Sequence, residues 1–502
     1  MAADADRGMA MADGQIGERR LYIDGELREA SSGATFDNIN PATEESLGVV
    51  ADGTAEDMEA AIAAARRAFD DTGWSTDHAF RAKCLRQLHE AIVSEQEDIR
   101  AELIAEVGTP LLITYGPQLD APLQDGLLWP ANRAESFEWE RDLGVAEVFG
   151  SRSRRFVTKE AAGVVGAITP WNFPFEITVN KIGQALATGN TVVLKPAPDT
   201  PWSGTRWGRV IAEKTDIPAG VVNVVTSTDH LLGEQLVTDP RVDLISFTGS
   251  TATGKRIMEK GSATLKRLFL ELGGKSANIY LDDADLAANL AMASLTVCTH
   301  AGQGCAMPTR MLLPRSRYEE GLALVEESFR TIGYGDPTDA NNFMGPLISE
   351  KQRERVLGLI DTGVKEGARL VLGGGRPSHL SKGWYVEPTV FADVDNSMTI
   401  AQQEIFGPVL VVIPFENDDD AVRIANDSQY GLSGMVTSSD EGRALNVAKR
   451  IRTGTVTVNG GIWYGADSPF GGYKNSGIGR QNGDEGFAQY LETKTYAVPA
   501  TG

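Results

Sequence analysis

The sequence predicts an α/β fold with two sheet-containing domains, and three observations support this prediction. Apolar runs rich in β-branched residues recur from 163 to 271, with helical stretches between them. A second series of alternating strand and helix candidates follows Gly273. The chain has 502 residues and is 42% hydrophobic, so it can bury more than one large core.

The first series is predicted to form a parallel sheet. Its strand candidates are apolar along most of their length and begin near Gly163, Thr191, Val221, Val242 and Leu265. Strands of this kind are buried on both faces and are joined by helices that cover the sheet. A nucleotide is expected to bind at the carboxyl ends of these strands, near the point where the strand order reverses.

The segments outside this sheet carry simpler signals. We expect a flexible tail over 1–20, followed by a hairpin strand and turn at 21–26. Thr54 is predicted to cap a helix whose apolar residues recur at helical spacing. The second series has strand candidates at 311–313, 409–412 and 455–458.

Composition and charge exclude several classes of protein. The chain contains 47 basic and 69 acidic residues, which gives a formal net charge of −22. Such a surface repels phosphate backbones and anionic lipids, so neither nucleic-acid nor membrane partners are expected. No apolar run approaches the ~20 residues needed to span a bilayer, and the N-terminal segment does not resemble a secretory signal.

The three cysteines are too few and too scattered for a disulfide framework or a zinc site. We therefore expect no metal and a reducing, cytoplasmic location. Cys305 lies in the segment GQGC and follows Glu271, in LELGGK, by 34 residues. A nucleophilic cysteine and a carboxylate base, on a chain with a nucleotide-binding pattern, indicate covalent capture of a carbonyl, redox chemistry and release by water. Taken singly, each has a simpler interpretation, a buried apolar cysteine or a structural ion pair.

Four further residues end or follow strand candidates and are suited to binding. Gly249 and Ser250 stand where a strand passes into a helix, whose N-terminus offers free amides to a phosphate. Lys195 ends the strand TVVLK and is placed either to reach ribose or phosphate oxygens or to face solvent. Asn172, in TPWNFP, is placed either to donate to an oxyanion or to form a turn before Phe-Pro.

Taken together, these segments resemble the aldehyde dehydrogenase superfamily from about Leu21 to Tyr496. The motifs that carry the resemblance are specific in combination and read TPWNFP, VVLKPA, FTGST, LELGGKS, GQGC, EIFGP (404–408) and PFGGYKNSG (469–477). The resemblance implies a Rossmann-like cofactor domain, an α/β catalytic domain and a small β oligomerisation extension. The resemblance implies that NAD(P) binds to residues 21–136 and 159–273 and that the catalytic domain is 274–469. Residues 137–158 and 485–502 would join subunits into a dimer or tetramer.

The resemblance also implies the role of each site residue. Cys305 would be the nucleophile, Glu271 the general base, Asn172 part of the oxyanion hole and Lys181 part of a proton relay. NAD would be the cofactor, with NADP as the alternative, and its contacts would be Ile168, Thr169, Pro170, Trp171, Lys195, Gly249, Ser250, Leu272, Glu404 and Phe406. The substrate would be a small-molecule aldehyde, held in a tunnel lined by Phe173, Glu176, Ile177 and Asn180.

The reaction implied is oxidation of an aldehyde to its acid through a thiohemiacetal and a thioester on Cys305. Relatives that transfer the acyl group to coenzyme A usually lack the glutamate at the position of Glu271, so hydrolysis is favoured. The alternatives are a semialdehyde or CoA-acylating dehydrogenase, a cysteine hydrolase, or a binding protein on a retained scaffold.

The chain departs from the family pattern at three positions. Pro198 replaces a glutamate that often bonds the adenosine ribose, which weakens any exclusion of NADP. His300 replaces a common asparagine and would either pair with Cys305, as in a hydrolase, or pack behind it. Glu176 places a carboxylate on a tunnel face that is commonly apolar, and its partner would be either a polar or cationic aldehyde or a lysine such as Lys181.

Overall fold

The computed structural model describes residues 17–500, apart from the side chains of residues 293 and 294. Most of the predicted tail lies outside the described residues. Its last four residues do not belong to a tail, because the Glu18 side chain is buried and the Glu18 carbonyl accepts a 2.7 Å hydrogen bond from the Thr205 hydroxyl. Glu18 also binds the guanidinium of Arg20. Ordered structure therefore begins before the predicted boundary.

The described strands form four sheets. Their bounds are β1 Leu21–Ile23, β2 Glu26–Arg28, β3 Thr35–Ile39, β4 Ser46–Ala51, β5 Glu140–Val148, β6 Ser151–Ala161, β7 Val164–Ile168, β8 Thr191–Lys195, β9 Val222–Val224, β10 Leu244–Thr248, β11 Arg267–Glu271, β12 Ala277–Tyr280, β13 Arg310–Pro314, β14 Arg369–Leu372, β15 Thr389–Ala392, β16 Val409–Phe415, β17 Gly434–Thr437, β18 Thr457–Val458, β19 Gly477–Ile478 and β20 Leu491–Pro499.

The helices connect and cover these strands. Their bounds are α1 Ala55–Asp71, α2 His78–Val93, α3 Gln96–Val107, α4 Leu111–Thr114, α5 Asp120–Asp125, α6 Leu128–Ser136, α7 Pro174–Ala187, α8 Trp202–Lys214, α9 Leu231–Thr238, α10 Thr251–Gly261, α11 Leu286–Cys298, α12 Tyr318–Arg330, α13 Glu350–Lys365, α14 Thr399–Gln402, α15 Asp418–Asn426, α16 Glu441–Ala448 and α17 Gly483–Gln489.

The first sheet has the order β19-β11-β10-β7-β8-β9-β1-β2. Its five central strands, β11 to β9, are mutually parallel, as the apolar runs predicted. The chain adds β8 and β9 on one side of β7 and then returns to add β10 and β11 on the other side. The strand order therefore reverses at β7 and β10, where a crevice for a ligand opens at the carboxyl ends.

Alternation along the strands explains why this sheet is buried on both faces. Val165 and Val192 pack in the core that includes residues of α2, α7 and α8. Val164 and Val193, one position away, pack in the opposite core with α1, α9 and α10. Successive side chains of a strand point to opposite faces, so a run that is apolar at every position covers both cores.

The second sheet has the order β14-β15-β16-β13-β12-β17-β18 and is parallel except at β14. Its core contains residues of β12, β13 and β16 with α11 and α12. Two smaller sheets complete the fold: β3 pairs with β4, and β5, β6 and β20 form a three-stranded antiparallel sheet. The predicted α/β architecture is confirmed.

Local predictions hold with adjusted bounds. Thr54 caps α1 through a capping box with Asp57, in which each side chain accepts a backbone amide. The strand expected from Leu265 begins instead at Arg267, because Leu265 has a left-handed backbone (φ 50°) and is 91% exposed. The strand expected at 455–458 is shortened to Thr457–Val458.

Candidate active site

The two sheets bring the predicted nucleophile and base together. Glu271 is the last residue of β11 in the first sheet, whereas Cys305 lies in the loop between α11 and β13 of the second sheet. Asn172 lies between β7 and α7. The loop of Cys305 approaches the chain after Glu271 closely, because a Cβ built on Gly274 would lie 2.3 Å from the Cys305 carbonyl oxygen. Only glycine fits this approach.

These three residues share a cavity of about 360 Å³ between the sheets. The four residues that the sequence assigned to a substrate tunnel also line it. The lining residues that matter below are Asn172, Phe173, Glu176, Ile177, Asn180, Thr248, Glu271, Cys305, Trp463, Tyr464, Phe470, Gln481 and Asn482.

Cys305 and Glu271 line the same cavity, and each shifts the pKa of the other. Burial and the nearby Glu271 carboxyl raise the pKa of Cys305 well above its usual value. Burial also raises the pKa of Glu271 to about 7, against the lowering effects of Cys305, Lys181 and Thr248. The resting pair is therefore a thiol beside a weakly acidic carboxyl, so that Glu271 is the group placed to receive the thiol proton.

Asn172 is buried and held from both sides. Its Nδ2 donates a 2.9 Å hydrogen bond to the carbonyl of Gln303, two residues before Cys305. Its backbone carbonyl accepts a 2.8 Å hydrogen bond from the side-chain amide of Gln118. An amide nitrogen has two hydrogens, so one remains for a group bound beside Cys305. Asn172 is thus an anchored donor and not merely a residue of a turn.

Lys181 is fully buried behind Glu271. Its ammonium donates a 3.1 Å hydrogen bond to Ser246, whose hydroxyl lies 2.9 Å from that of Tyr490. It also lies 4.6 Å from the centre of the Phe269 ring. Burial lowers the pKa of Lys181 to about 7, while Glu271 acts in the opposite direction. The Lys181 side chain is therefore placed to exchange a proton near neutral pH.

Glu176 does not pair with Lys181, which was one of the two partners expected for it. The Lys181 ammonium bonds Ser246, whereas the neighbour that lowers the pKa of Glu176 is Tyr464, which lines the same cavity. Burial, together with the charge of Glu271, raises the pKa of Glu176 to about 8 against the effect of Tyr464. The explanation of Glu176 by an ion pair with Lys181 is therefore wrong.

His300 packs behind the nucleophile. Its ring meets Phe173 edge-on at 5.4 Å, and within residues 17–500 neither ring nitrogen has a side-chain or backbone partner that meets hydrogen-bond geometry. Burial lowers the pKa of His300 to about 3. The groups that shift the pKa of Cys305 are carboxyls and not this imidazole. The geometry therefore lacks the Cys–His pair of a hydrolase.

A second cavity of about 320 Å³ lies at the crevice of the first sheet, lined by residues that include Ile168, Lys195, Gly233, Thr253 and Lys260. Lys195 is 6% exposed, so its interpretation as a solvent-facing lysine is wrong. Burial lowers the pKa of Lys195 to about 8, against the attraction of Asp229 and Asp52.

The N-terminus of α10 lies beside this second cavity. Ser250 caps the helix by accepting the Thr253 amide, and Thr253 lines the cavity. A Cβ on Gly249 would lie 2.5 Å from the Phe247 ring, so Gly249 is needed for packing against its own strand. This contact is a second reason for glycine at position 249, which the sequence analysis had associated with close approach of a phosphate group.

The remaining cofactor candidates form a continuous strip towards Cys305. Trp171 and Phe406 meet edge-on at 5.3 Å, and Glu404 accepts a 2.9 Å hydrogen bond from the Gly274 amide. Thr169 and Pro170 connect β7 to Trp171, and the Thr169 amide bonds the Lys195 carbonyl at 3.2 Å. Leu272 differs, because its side chain packs against Gly254 of α10.

Several site residues were missed from the sequence. Arg355 donates to the carbonyls of Glu404 and Ile405, and Gln352 donates to that of Phe406. Both lie on α13 and fix the segment that carries the two cofactor candidates. Tyr464 and Trp463 enter the Cys305 cavity from a glycine-containing loop, where no periodic pattern marks them. Phe470 belongs to a recognised motif, but nothing in the sequence showed which way it faces.

The chain belongs to the aldehyde dehydrogenase family, because the protein-family model "Aldehyde dehydrogenase family" matches residues 27–496 of its sequence. It is an oxidoreductase that oxidises aldehydes with a nicotinamide dinucleotide, as the sequence predicted. It is 43% identical to the 3-succinoylsemialdehyde-pyridine dehydrogenase of a Pseudomonas species over 95% of this chain and 98% of that protein.

Two solved structures illustrate the similarity of fold. The betaine aldehyde dehydrogenase of Staphylococcus aureus in complex with NAD+ has a TM-score of 0.92 and 37% identity, over 96% of this chain and 94% of that chain. An aldehyde dehydrogenase of Mycobacterium tuberculosis complexed with NAD+ has a TM-score of 0.91 and 42% identity, over 96% of this chain and 98% of that chain.

None of the helices in residues 17–500 is long and apolar enough to cross a membrane. Within the same residues, no group of three or more His, Cys, Asp or Glu side chains is arranged to hold a metal ion.

Proposed function

We propose that this enzyme converts an aldehyde to the carboxylic acid with NAD+ and water, with Cys305 as nucleophile and Glu271 as base. One observation carries the proposal: Cys305, Glu271 and Asn172 line one cavity, in which Cys305 and Glu271 shift each other's pKa. A nucleophile, its base and an oxyanion donor at one cavity are the parts that acyl chemistry needs.

The crevice of the first sheet fits a dinucleotide. Its cavity is lined by Lys195 and lies beside the capped N-terminus of α10, which suits a diphosphate. The cavity reaches the backbone of α9 at Gly233, where an added Cβ would lie 3.7 Å from the Lys195 side chain. We assign the ribose and phosphate groups to Lys195, Ser250 and Glu404, and the nicotinamide end to Trp171 and Phe406. Bound NAD+ supplies a hydride acceptor.

The first half of the reaction forms a covalent bond to the enzyme. Glu271 takes the proton of the Cys305 thiol, and the thiolate sulfur adds to the aldehyde carbon. The oxyanion of the resulting thiohemiacetal is stabilised by Nδ2 of Asn172 and the amide of Cys305. As this oxyanion reforms a carbonyl, the C–H electron pair leaves as hydride and Cys305 carries a thioester.

The second half releases the acid. Glu271 first passes on the proton that it took from the thiol and then removes a proton from water, and the hydroxide attacks the thioester carbon and expels the Cys305 thiolate. One carboxyl oxygen of Glu271 has no hydrogen-bond partner among the described residues and is available to accept from that water. Lys181, Ser246 and Tyr490 form the adjacent hydrogen-bonded chain, to which we assign the proton from Glu271.

Two finer assignments are also proposals. The three-stranded sheet of β5, β6 and β20 exposes apolar side chains such as Val145, Val148 and Val498. Pairing with a second subunit would cover these strands and their edges, which supports the predicted dimer or tetramer. The free thiols of the described chain suit the reducing cytoplasm.

The proposal is tested by nicotinamide absorbance with a panel of aliphatic, aromatic and cationic aldehydes, with NAD+ and NADP+ in parallel. We expect reduction that is lost in Cys305→Ala, while the variant still binds NAD+. No reduction with any aldehyde, even with added coenzyme A, would overturn the proposal. An activity that required coenzyme A would instead identify an acyl-transferring enzyme.

A further inference from the structure

The charged groups in the wall of the Cys305 cavity all have one sign. Among its described lining residues, Glu176 and Glu271 carry carboxyl groups and none is a lysine, arginine or histidine. Glu271 has a role in the proposed reaction, but Glu176 has none. The cavity is therefore an unfavourable place for an anionic substrate, since its wall offers no basic side chain and an anion would oppose ionisation of either carboxyl group.

Glu176 itself faces the cavity with few compensating groups. It lines the cavity while remaining part-exposed, and Tyr464 is the neighbour that lowers its pKa. Tyr464 in turn interacts with Asp125 and Asn180. A carboxyl in this setting gains stability when a cation enters the cavity, because the protein supplies none.

Aromatic rings surround the same space. Trp463 and Phe470 stack with parallel planes at 5.1 Å, and both line the cavity together with Phe173 and Tyr464. Aromatic faces attract organic cations through the ring quadrupole and also bury their methyl or methylene groups. A carboxyl and several rings around one cavity form a site for an organic cation.

The position of Glu176 also fixes where the charge should be. Glu176 lies in the first turn of α7, four residues after Asn172, the proposed oxyanion donor, and both residues line the same cavity. An aldehyde whose carbonyl is held by Asn172 therefore reaches Glu176 with a group a few bonds from the carbonyl carbon.

We propose that Glu176 selects aldehydes that carry a positive charge a few bonds from the carbonyl, against neutral and anionic aldehydes of the same shape. This inference rests on the proposed function, because it places the aldehyde at Cys305. It also predicts a proton event: since burial raises the pKa of Glu176 to about 8, the carboxyl is mostly protonated at pH 7 and loses its proton when a cation binds.

The test compares kcat/KM for three aldehydes of matched shape. They are 4-(trimethylammonio)butanal, its neutral isostere 5,5-dimethylhexanal, and the anion 5-oxopentanoate. We expect the cation to exceed the neutral isostere by about tenfold or more, which equals ~1.4 kcal/mol, and the anion to be poorest. Glu176→Gln should bring the cation-to-neutral ratio close to one, whereas Glu485→Gln, an exposed carboxyl on α17, should leave the ratio unchanged.

A second measurement needs no variant. Binding of butyltrimethylammonium to the wild-type enzyme is followed by calorimetry at pH 7 in two buffers of different ionisation enthalpy, and we expect proton release. A cation-to-neutral ratio near one in the wild type, an unchanged ratio in Glu176→Gln, or binding without proton release would each overturn the inference. Failure of the proposed function looks different, because none of the three aldehydes would then reduce NAD+.

Discussion

The two cavities at the carboxyl edge of the first sheet differ in the ionisable side chains that line them. The cavity beside Lys195 is lined by Lys195, Arg256 and Lys260 against a single carboxylate, Glu234. The cavity beside Cys305 is lined by carboxyl groups without a cation among the described residues. A dinucleotide diphosphate is anionic, so the basic cavity beside Lys195 attracts the cofactor. The cavity beside Cys305 offers no such attraction to an anion.

The largest effect that would test this division is loss of the base beside Cys305. Glu271→Gln keeps the shape but cannot accept a proton, so we expect kcat to fall by about 10³-fold. Hydrolysis should become slow enough for the acyl-enzyme to be detected by mass spectrometry after incubation with aldehyde and NAD+.

The pH profile of kcat gives an independent measure of the same group. A base must be deprotonated to act, and the pKa of Glu271 is raised to about 7 by burial. Wild-type kcat should therefore rise as the pH increases through about 7, and Glu271→Gln should lack this rise. Full turnover by the variant, or an acyl adduct that also forms in Cys305→Ala, would contradict the assignment.

A smaller effect is expected from the oxyanion donor. Asn172→Ala removes one hydrogen bond to the developing charge, so kcat/KM should fall by about 10² to 10³-fold. Because Asn172 does not line the Lys195 cavity, the dissociation constant for NAD+ should stay within a factor of about two.

Thermal denaturation separates this role from a structural one. Asn172 also bonds the Gln303 carbonyl, so the variant should lose about 1 kcal/mol of stability. A loss of activity that is reversed at lower temperature would indicate that the residue only holds the loop of Cys305.

The same contrast explains what the sequence could and could not predict. Lys195 and Glu271 end strands of a regular sheet and Ser250 caps the helix that follows another, so strand periodicity and helix capping locate them. The wall of the substrate cavity combines α7 with a loop near Tyr464, almost 300 residues away. Which residue Glu176 contacts depends on how that loop folds, and the local sequence pattern does not predict the fold of the loop. The sequence therefore offered either a polar or cationic aldehyde or a lysine such as Lys181 as the partner of Glu176, whereas the neighbour that lowers its pKa in the structure is Tyr464.

On the cofactor side, Lys195→Met should weaken NAD+ binding without stopping the reaction. Methionine keeps the apolar stem, while loss of a charged hydrogen bond costs about 1.5–3 kcal/mol, which raises KM for NAD+ by roughly tenfold or more. Burial lowers the pKa of Lys195 to about 8, so the wild-type KM for NAD+ should rise above that pH as the ammonium is lost. The variant should show no such rise, and a KM equal to that of the wild type at pH 7 would remove Lys195 from the site.

The smallest effect concerns the choice between NAD+ and NADP+. Pro198 lies part-buried in the loop after β8, three residues beyond Lys195, and has no carboxylate of its own to oppose a ribose phosphate. Pro198→Glu would add that carboxylate, and repulsion of about 1.4 kcal/mol would lower the NADP+ to NAD+ ratio of kcat/KM by roughly tenfold. Pro198→Gln has the same shape without the charge and should leave the ratio near that of the wild type. Equal ratios in the two variants would show that shape and not charge governs the choice, and the difference between the two cavities would then not extend to the ribose.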